Sequence, residues 1–138
     1  MIRSETIVRV RYAETDMMGI VYHGSYVPWL ECARIQLLDD IGCPYKQMES
    51  LGVRLPVIEL NCRYRESARF DDRVRVVAEI REVPRARITL HYQLFRQEDG
   101  ALLCEATSMH AFMDFNQKPC RPPRILREAF DARMNGTE

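Results

Sequence analysis

The chain has 138 residues, a length that predicts one domain covering residues 1–138. Its 20 Lys and Arg residues balance 20 Asp and Glu residues, and the zero net charge argues against a general nucleic-acid-binding protein. The hydrophobic fraction of 46% argues against a disordered chain.

No segment has the character of a membrane span or an export signal. The longest run without charge, residues 17–30, contains Gly, His, Ser and Pro and is shorter than the roughly 20 apolar residues of a spanning helix. Charged residues begin at Arg3, which leaves no apolar signal core. The 5 cysteines form no CxxC pair, a pattern typical of reduced thiols. We therefore expect a cytoplasmic protein that does not insert into a membrane.

The first predicted elements are a strand and a long helix. Residues 6–12 alternate between apolar and polar or charged side chains, with Tyr12 on the apolar face, and this alternation predicts a half-buried strand. A loop over residues 13–24 follows. Residues 25–41 carry apolar side chains at helical spacing and predict the principal helix, with Ser25 as its N-terminal cap.

Most of the remaining chain predicts strands joined by short turns, as at Asp99-Gly100. The predicted strands cover residues 55–64, 73–83, 86–97 and 101–115. A helical or looped connection is predicted at residues 45–52, and a short helix at residues 125–133. Short turns require antiparallel pairing, and one helix covers only one face of a five-stranded sheet. These elements predict an α+β fold.

The final predicted strand indicates a further partner. Apolar side chains occupy both of its registers, with Met109 in one and Leu102 and Ala106 in the other. A sheet face or edge that carries apolar side chains needs cover, and a second copy of the chain is the simplest cover.

The segment between the first strand and the long helix has the groups that acyl transfer requires. Asp16 lies in a loop containing Gly19, and the helix begins near His23-Gly24, where free N–H groups and the helix dipole attract negative charge. A carboxylate beside a site that stabilises an oxyanion suits acyl-transfer chemistry. On spacing alone, however, an Asp in a loop before a helix is more often a turn former or a cap.

The same segment resembles a known family. The pattern Tyr-x-x-Thr-Asp-x-x-Gly-x-Val-x-His-x-x-Tyr begins at Tyr12 and is followed by Glu31. It is similar to the signature of the 4-hydroxybenzoyl-CoA thioesterase family of hotdog-fold proteins, and especially to the short-chain acyl-CoA thioesterases associated with the Tol–Pal cluster. Residues 62–65, 68–72 and 112–122 also resemble that family, and the resemblance runs from about residue 4 to residue 130.

The resemblance implies a fold and a reaction. The fold is a five-stranded antiparallel sheet wrapped around one long central helix, in homodimers or homotetramers with active sites between subunits. The reaction is hydrolysis of a short-chain or aromatic acyl-CoA thioester to the free acid and CoA. Asp16 matches the catalytic carboxylate, as nucleophile or general base, and His23 matches the position whose backbone N–H binds the thioester oxygen. No separate cofactor is implied, because coenzyme A is part of the substrate.

Further residues are candidates for substrate binding. Gly24 belongs to the oxyanion site, and Tyr26 is a candidate wall residue. The His23 imidazole is expected to orient Asp16, with a histidine satisfied at the helix start as the alternative. Glu31 is expected to meet the acyl end of the substrate or to position water; the alternative is a solvated or cross-subunit salt bridge.

Arginines are the candidate ligands of the CoA phosphates. The resemblance points to the turn between two central strands, where Arg85 and Arg87 lie two residues apart and share a strand face. Arg63 and Arg65 repeat the spacing on another strand and are the second choice. The alternative for both pairs is a solvated basic edge that discourages aggregation.

Other chemistries fit the sequence less well. His91 and His110 are expected to be structural, and without an HExxH motif or a cysteine cluster no metal site is expected. An enoyl-thioester hydratase or dehydratase would add water to or remove it from an acyl thioester, which a test with enoyl-CoA would show. A non-catalytic acyl-CoA-binding hotdog would bind acyl-CoA without releasing a thiol.

Overall fold

The computed structural model describes residues 1–134 of the chain; residues 135–138 of the predicted domain lie outside the described residues. Its strands are β1 Ile2–Arg9, β2 Val57–Tyr64, β3 Arg73–Ile80, β4 Arg87–Arg96 and β5 Leu102–Ala111. Its helices are α1 Tyr26–Asp40, α2 Tyr45–Ser50 and α3 Arg124–Met134, and 3-10 turns cover Tyr12–Glu14 and His23–Ser25. None of the helices within residues 1–134 has the length and apolar character needed to cross a membrane.

The five strands form one antiparallel sheet in the order β1-β3-β4-β5-β2. α1 packs across one face of the sheet, chiefly over β1 and β3, and the core lies between them. Alternate residues of β3 and β4 are buried beneath α1, as the alternating sequence predicts. The predicted α+β architecture, a sheet wrapped around one long helix, is confirmed.

β1 leaves the sheet earlier than predicted. It ends at Arg9. The next residue bonds to the loop before β3, where the Val10 N–H donates to the Asp72 carbonyl oxygen at 2.9 Å. Tyr12 begins a 3-10 turn and is 77% exposed, so its predicted place on the buried face is wrong. The even-numbered register of the strand is as predicted, since Val10 is buried.

The start of α1 also differs from the prediction. The Ser25 side chain makes no capping hydrogen bond, because Ser25 already has helical angles (φ −72°, ψ −14°). The 3-10 turn His23–Ser25 runs directly into α1, so the helical segment effectively starts at His23. The predicted cap is therefore wrong, while the predicted start near His23-Gly24 is confirmed.

A β-bulge explains part of the apolar pattern in β5. Leu94 pairs with Cys104 and Phe95 with Leu102, so Leu103 is an extra residue between two pairs. Leu103 and Cys104 are consequently both buried against the core. The bulge therefore accounts for Leu103, whereas Met109 and Ala111 lie half-buried on the outer face of the sheet.

The most exposed strand of the described sheet is the edge strand β2. All of its residues except Cys62 are exposed, including Val57, Ile58 and Leu60 at 51%, 46% and 41%. One side of the strand pairs with β5, and no strand within residues 1–134 lies along the other side. An exposed apolar edge of this kind pairs readily with another strand.

A chain of hydrogen bonds crosses the core beneath α1. Buried His110 lies with Nδ1 at 3.2 Å from the Leu55 carbonyl oxygen and with Nε2 at 2.8 Å from Ser108 Oγ. Ser108 Oγ is 2.7 Å from the Tyr92 hydroxyl, which accepts a hydrogen bond from Arg34. Burial, with a smaller contribution from Arg34, lowers the pKa of His110 to about 4. His110 is therefore neutral near pH 7 and links β5 to the chain before β2.

Candidate active site

Asp16 lies in a loop that folds back on itself. Thr15 and Val21 form an antiparallel bridge, and the Asp16 N–H donates to the Ile20 carbonyl oxygen at 2.8 Å. Asp16 Oδ1 accepts the Met18 N–H at 2.8 Å, which fixes the direction of the side chain. Oδ2 of this half-buried residue has no hydrogen-bond partner among residues 1–134 and is free to meet a substrate.

The second arm of the loop leads into the helix start. The Tyr22 N–H donates to the Glu14 carbonyl oxygen and the Ser25 N–H to the Tyr22 carbonyl oxygen, both at 2.9 Å. Within the described chain, the N–H groups of His23 and Gly24 have no acceptor. The Asp16 carboxylate thus lies within the short paired segment, and the two unbonded backbone donors follow directly after its second arm. Such donors stabilise negative charge at a helix start.

Tyr26 stabilises this arrangement from within the core. It is 2% exposed, and its hydroxyl accepts the Ala68 N–H at 3.1 Å. The Ala68 carbonyl oxygen in turn accepts the Val21 N–H at 2.9 Å. Tyr26 therefore supports the second arm from inside the core, behind the surface that a substrate would touch.

Tyr64 is a site residue to which the sequence assigned no role. Its hydroxyl donates to the His23 carbonyl oxygen at 2.9 Å, which ties the end of β2 to the helix start. Burial and the nearby Cys62 raise the pKa of Tyr64 to about 12, so the hydroxyl keeps its proton near pH 7. The signal in the sequence was its place in the second matching segment, residues 62–65.

The His23 imidazole is exposed and stacks on the Tyr22 ring, with centroids 4.2 Å apart. It makes no hydrogen bond to Asp16, both residues being described, so the predicted orienting contact is not formed in this structure. The part of His23 that the geometry brings to the site is its backbone N–H.

Glu31 lies further along the exposed side of α1. A cavity of about 280 Å³ is lined by Glu31 and by five further residues, Arg34, Ile35, Leu38, Tyr45 and Leu55. Neither Asp16 nor His23 lines this cavity. The described residues contain no group of three or more His, Cys, Asp or Glu side chains suited to a metal ion.

The predicted arginines fall at opposite ends of the strands. Arg63 and Arg65 flank Tyr64 at the end of β2, close to the helix start. Arg85 and Arg87 lie at the start of β4, and β2 and β4 both run antiparallel to β5. β4 has 10 residues, so its two ends are about 30 Å apart. Within one chain, Arg85 and Arg87 are therefore at the end of the sheet away from Asp16.

The four arginines differ in whether an acidic side chain of the same chain already pairs with them. Arg65 is paired with Glu105 at 2.8 Å, whereas Arg63 lines an open cavity of about 240 Å³ on the outer face of the sheet. Arg85 and Arg87 line a larger open cavity of about 590 Å³. Both cavities are wide and polar enough for a charged group of a ligand.

Comparison with known proteins identifies the family. Residues 10–130 match the family described as the thioesterase-like superfamily. This chain belongs to that superfamily. YneP of Bacillus subtilis is 35% identical over 127 residues, which cover 92% of this chain and 89% of YneP. The acyl-CoA thioesterase YbgC of Haemophilus influenzae is 32% identical over 125 residues, 89% of this chain and 90% of YbgC.

A solved structure agrees with this assignment. The DHNA-CoA thioesterase of Staphylococcus aureus superposes with a TM-score of 0.83 and 32% sequence identity, covering 98% of this chain and 85% of that one. The resemblance to acyl-CoA thioesterases of the hotdog fold, and the expectation of an enzyme of that kind, are confirmed. The roles of individual residues stay predictions.

The Asp16 loop offers a direct test of its own importance. Gly19 has φ of +79°, and a Cβ there would meet nothing within 4 Å; Gly100, in the hairpin between β4 and β5, has φ of +73° and equally open space. We expect Gly19→Val and Gly100→Val each to lower the free energy of unfolding by about 1–2 kcal/mol, the cost of a left-handed conformation.

Only Gly19→Val should also lower kcat for thioester hydrolysis, by about fivefold or more, since it displaces the Asp16 carboxylate. Urea unfolding and a thiol-release assay give the two numbers. Equal kcat values for the two valine variants would show that the loop geometry does not control the reaction.

Proposed function

We propose that this acyl-CoA thioesterase hydrolyses its substrate with Asp16 as the reacting carboxylate and the backbone N–H groups of His23 and Gly24 as the oxyanion donors. The observation that supports the proposal most strongly is the loop geometry, in which a paired segment carries the Asp16 carboxylate and leads directly into the turn with the unbonded N–H groups. A donor of this kind lowers the barrier by roughly 3–4 kcal/mol in other oxyanion holes.

Two routes are compatible with this geometry. As a nucleophile, Asp16 attacks the thioester carbon, CoA leaves as a thiolate, and water hydrolyses the acyl–aspartyl anhydride. As a general base, Asp16 takes a proton from water, whose oxygen attacks the same carbon, and the tetrahedral intermediate then collapses to the free acid with release of CoA as a thiolate. A thiol with a pKa of about 8–9 leaves without much protonation. Neither route uses a cofactor, because CoA is part of the substrate.

The acyl group is proposed to lie along α1, from the helix start toward Glu31. Val27 and Ile35 are exposed on this side of the helix and offer apolar contact. The end of the acyl group would enter the cavity of about 280 Å³ beside Glu31, a space of a size that suits short-chain or aromatic acids. Glu31 is then available to a hydroxyl group on the acyl moiety or to water.

Asp16→Asn is the first test of the proposal. The amide oxygen can still accept the Met18 N–H, so the loop should keep its shape while the reacting carboxylate is lost. We expect kcat to fall by about 100-fold or more with unchanged circular dichroism and urea midpoint. The assay is thiol release from short-chain, long-chain and aromatic CoA thioesters.

A variant that keeps more than about a tenth of wild-type kcat would refute the role of Asp16. The same panel addresses the other functions. Water addition to an enoyl-CoA would indicate a hydratase, and tight acyl-CoA binding by the wild type without thiol release would indicate a binding protein.

We further propose that the chain forms a homodimer through β2. Two such dimers could pair into a tetramer, but the proposal concerns the dimer. A two-fold axis normal to the sheet would place β2 antiparallel to β2 of a second copy and join the two sheets. The exposed Ile58 and Leu60 would then lie in the interface. This axis also reverses the strands, so the start of β4 in the second copy lies at the same end as Asp16 in the first.

The dimer is tested by multi-angle light scattering. We expect at least twice the chain mass of 16.2 kDa at micromolar concentration. The double variant Ile58→Lys with Leu60→Lys should shift the protein toward monomer, since lysines block edge pairing. Ile7→Lys, an exposed position on the opposite edge strand β1, is the matched control and should leave the mass unchanged. A wild-type monomer would contradict the proposal.

The CoA phosphates are proposed to bind Arg85 and Arg87 of the second copy. In the proposed dimer these residues are three strand spacings from β2, about 14 Å sideways, which is within the reach of an extended CoA. Since β4 begins at Arg87, Arg85 lies in the turn before the strand rather than on a shared strand face, but both guanidinium groups line one open cavity and can each bond phosphate oxygens. Arg63 and Arg65 of the same chain remain the competing pair.

Arg85→Ala with Arg87→Ala should raise KM for acyl-CoA by about tenfold and leave kcat nearly unchanged, since these contacts are equal in ground and transition states. The same acyl group on a truncated pantetheine thiol should show little change. Arg63→Ala with Arg65→Ala is the comparison. If that pair alone raises KM selectively for the CoA ester, the phosphates are bound within the same chain.

A further inference from the structure

Glu14 is a buried acid beside the site, and the proposed chemistry does not use it. It ends the 3-10 turn Tyr12–Glu14 and is 7% exposed. Oε1 accepts the Arg11 N–H at 2.7 Å, and Oε2 accepts the indole N–H of Trp29 at 2.8 Å. The Arg11 guanidinium lies 3.6 Å from Oε2 on the exposed side. A buried carboxylate is costly unless its oxygens are satisfied, and both oxygens are satisfied here.

Glu14 also connects the two arms of the Asp16 loop. Its carbonyl oxygen accepts the Tyr22 N–H at 2.9 Å, and Tyr22 directly precedes His23. Its own chain continues through Thr15 to Asp16. One residue is therefore bonded, through main chain and side chain, to the carboxylate arm, the donor arm and α1.

Two side chains on the same side of α1 hold the Asp16 loop, and Trp29, the partner of Glu14, is one of them. Trp29 and Tyr26 are three residues apart, with ring centroids 4.9 Å from each other. Trp29 holds the first arm through Glu14, and Tyr26 holds the second arm through Ala68. The helix that supplies the oxyanion donors thus also fixes the loop that supplies the carboxylate.

We infer that Glu14 is a positioning residue: with Trp29 it sets the distance between the Asp16 carboxylate and the N–H groups at His23 and Gly24. The inference rests on the proposed roles of Asp16 and His23. An error of about 1 Å between reacting groups can cost about 100-fold in rate, so a rigid link between the two arms matters to catalysis. Glu14 touches neither substrate nor reacting atoms.

The test uses Glu14→Gln and Trp29→Phe. The Arg11 and Trp29 N–H groups bond different oxygens of Glu14. Gln is nearly the same size but has an NH₂ group in place of one oxygen, so one of the two hydrogen bonds is lost. Phe keeps an aromatic ring but removes the indole donor. We expect each variant to lower kcat by about 10- to 100-fold. KM should stay within about twofold, because the CoA contacts lie elsewhere.

The double variant shows whether the pair acts as a unit. If Glu14 and Trp29 position the loop through their shared hydrogen bond, the double variant should have a kcat close to that of the worse single variant. Phe130→Leu, a buried change in α3 remote from the site, is the control for lost stability. It should lower the urea midpoint with kcat unchanged.

A folded Glu14→Gln protein with kcat within about twofold of wild type would overturn the inference, since displacement of the loop should cost more. The inference would also be overturned if the fold-loss of kcat in the double variant equalled the product of the losses in the two single variants. If Glu14→Gln does not fold, Trp29→Phe decides by the same criteria. Asp16→Asn is measured in parallel: its full activity would overturn the proposed function, whereas an inactive Asp16→Asn with an active Glu14→Gln would overturn the positioning role alone.

Discussion

The backbone hydrogen bonds between residues 14–16 and residues 20–22 set the position of every group that the proposed reaction uses. They bring Asp16 next to the arm that leads into α1, and they end where the 3-10 turn begins. Because that turn continues directly into the helix, His23 and Gly24 have the first unbonded N–H groups of the helical segment. A different connection would separate the carboxylate from the donors.

The surrounding residues keep this short segment in place at some cost. The segment makes several hydrogen bonds of its own and is also bonded to α1, to the loop around Ala68 and to β2. Glu14 carries the largest cost in folding free energy, since it places an ionisable group in the core, where an apolar side chain would need no desolvation of a charge. The polar chain from Arg34 to His110 links separate elements of the core in a comparable way, without charge at its centre.

Strand and helix patterns in the sequence predicted the fold well, because alternation and helical spacing directly record which side faces the core. The exceptions have local causes. Tyr12 follows the point where Val10 leaves the sheet for another loop, and Leu103 sits in a bulge that no alternation reveals. Ser25 does not cap α1, because it already has helical angles, and composition could not show this since a 3-10 turn before a helix is indistinguishable from a loop.

The sequence motif singles out Asp16 and His23, whose roles stay predictions, and it does not reveal the residues that support them. Asp16 and His23 carry a motif that is local in sequence, whereas Glu14–Trp29 and Tyr64–His23 are contacts between separate segments. The position of Arg85 and Arg87 could not be predicted from spacing either, since it depends on the order of the strands in the sheet. That order makes a second copy of the chain part of the proposed site.

The central claim is that the Asp16 carboxylate and the free N–H groups at the helix start meet at one thioester carbonyl. A crystal structure of Asp16→Asn with a bound, unhydrolysed acyl-CoA tests it most directly. The thioester oxygen should lie within about 3.1 Å of the N–H of His23 or Gly24, with the substituted asparagine side chain facing the carbonyl carbon. A thioester oxygen beyond hydrogen-bond distance of both N–H groups would contradict the account.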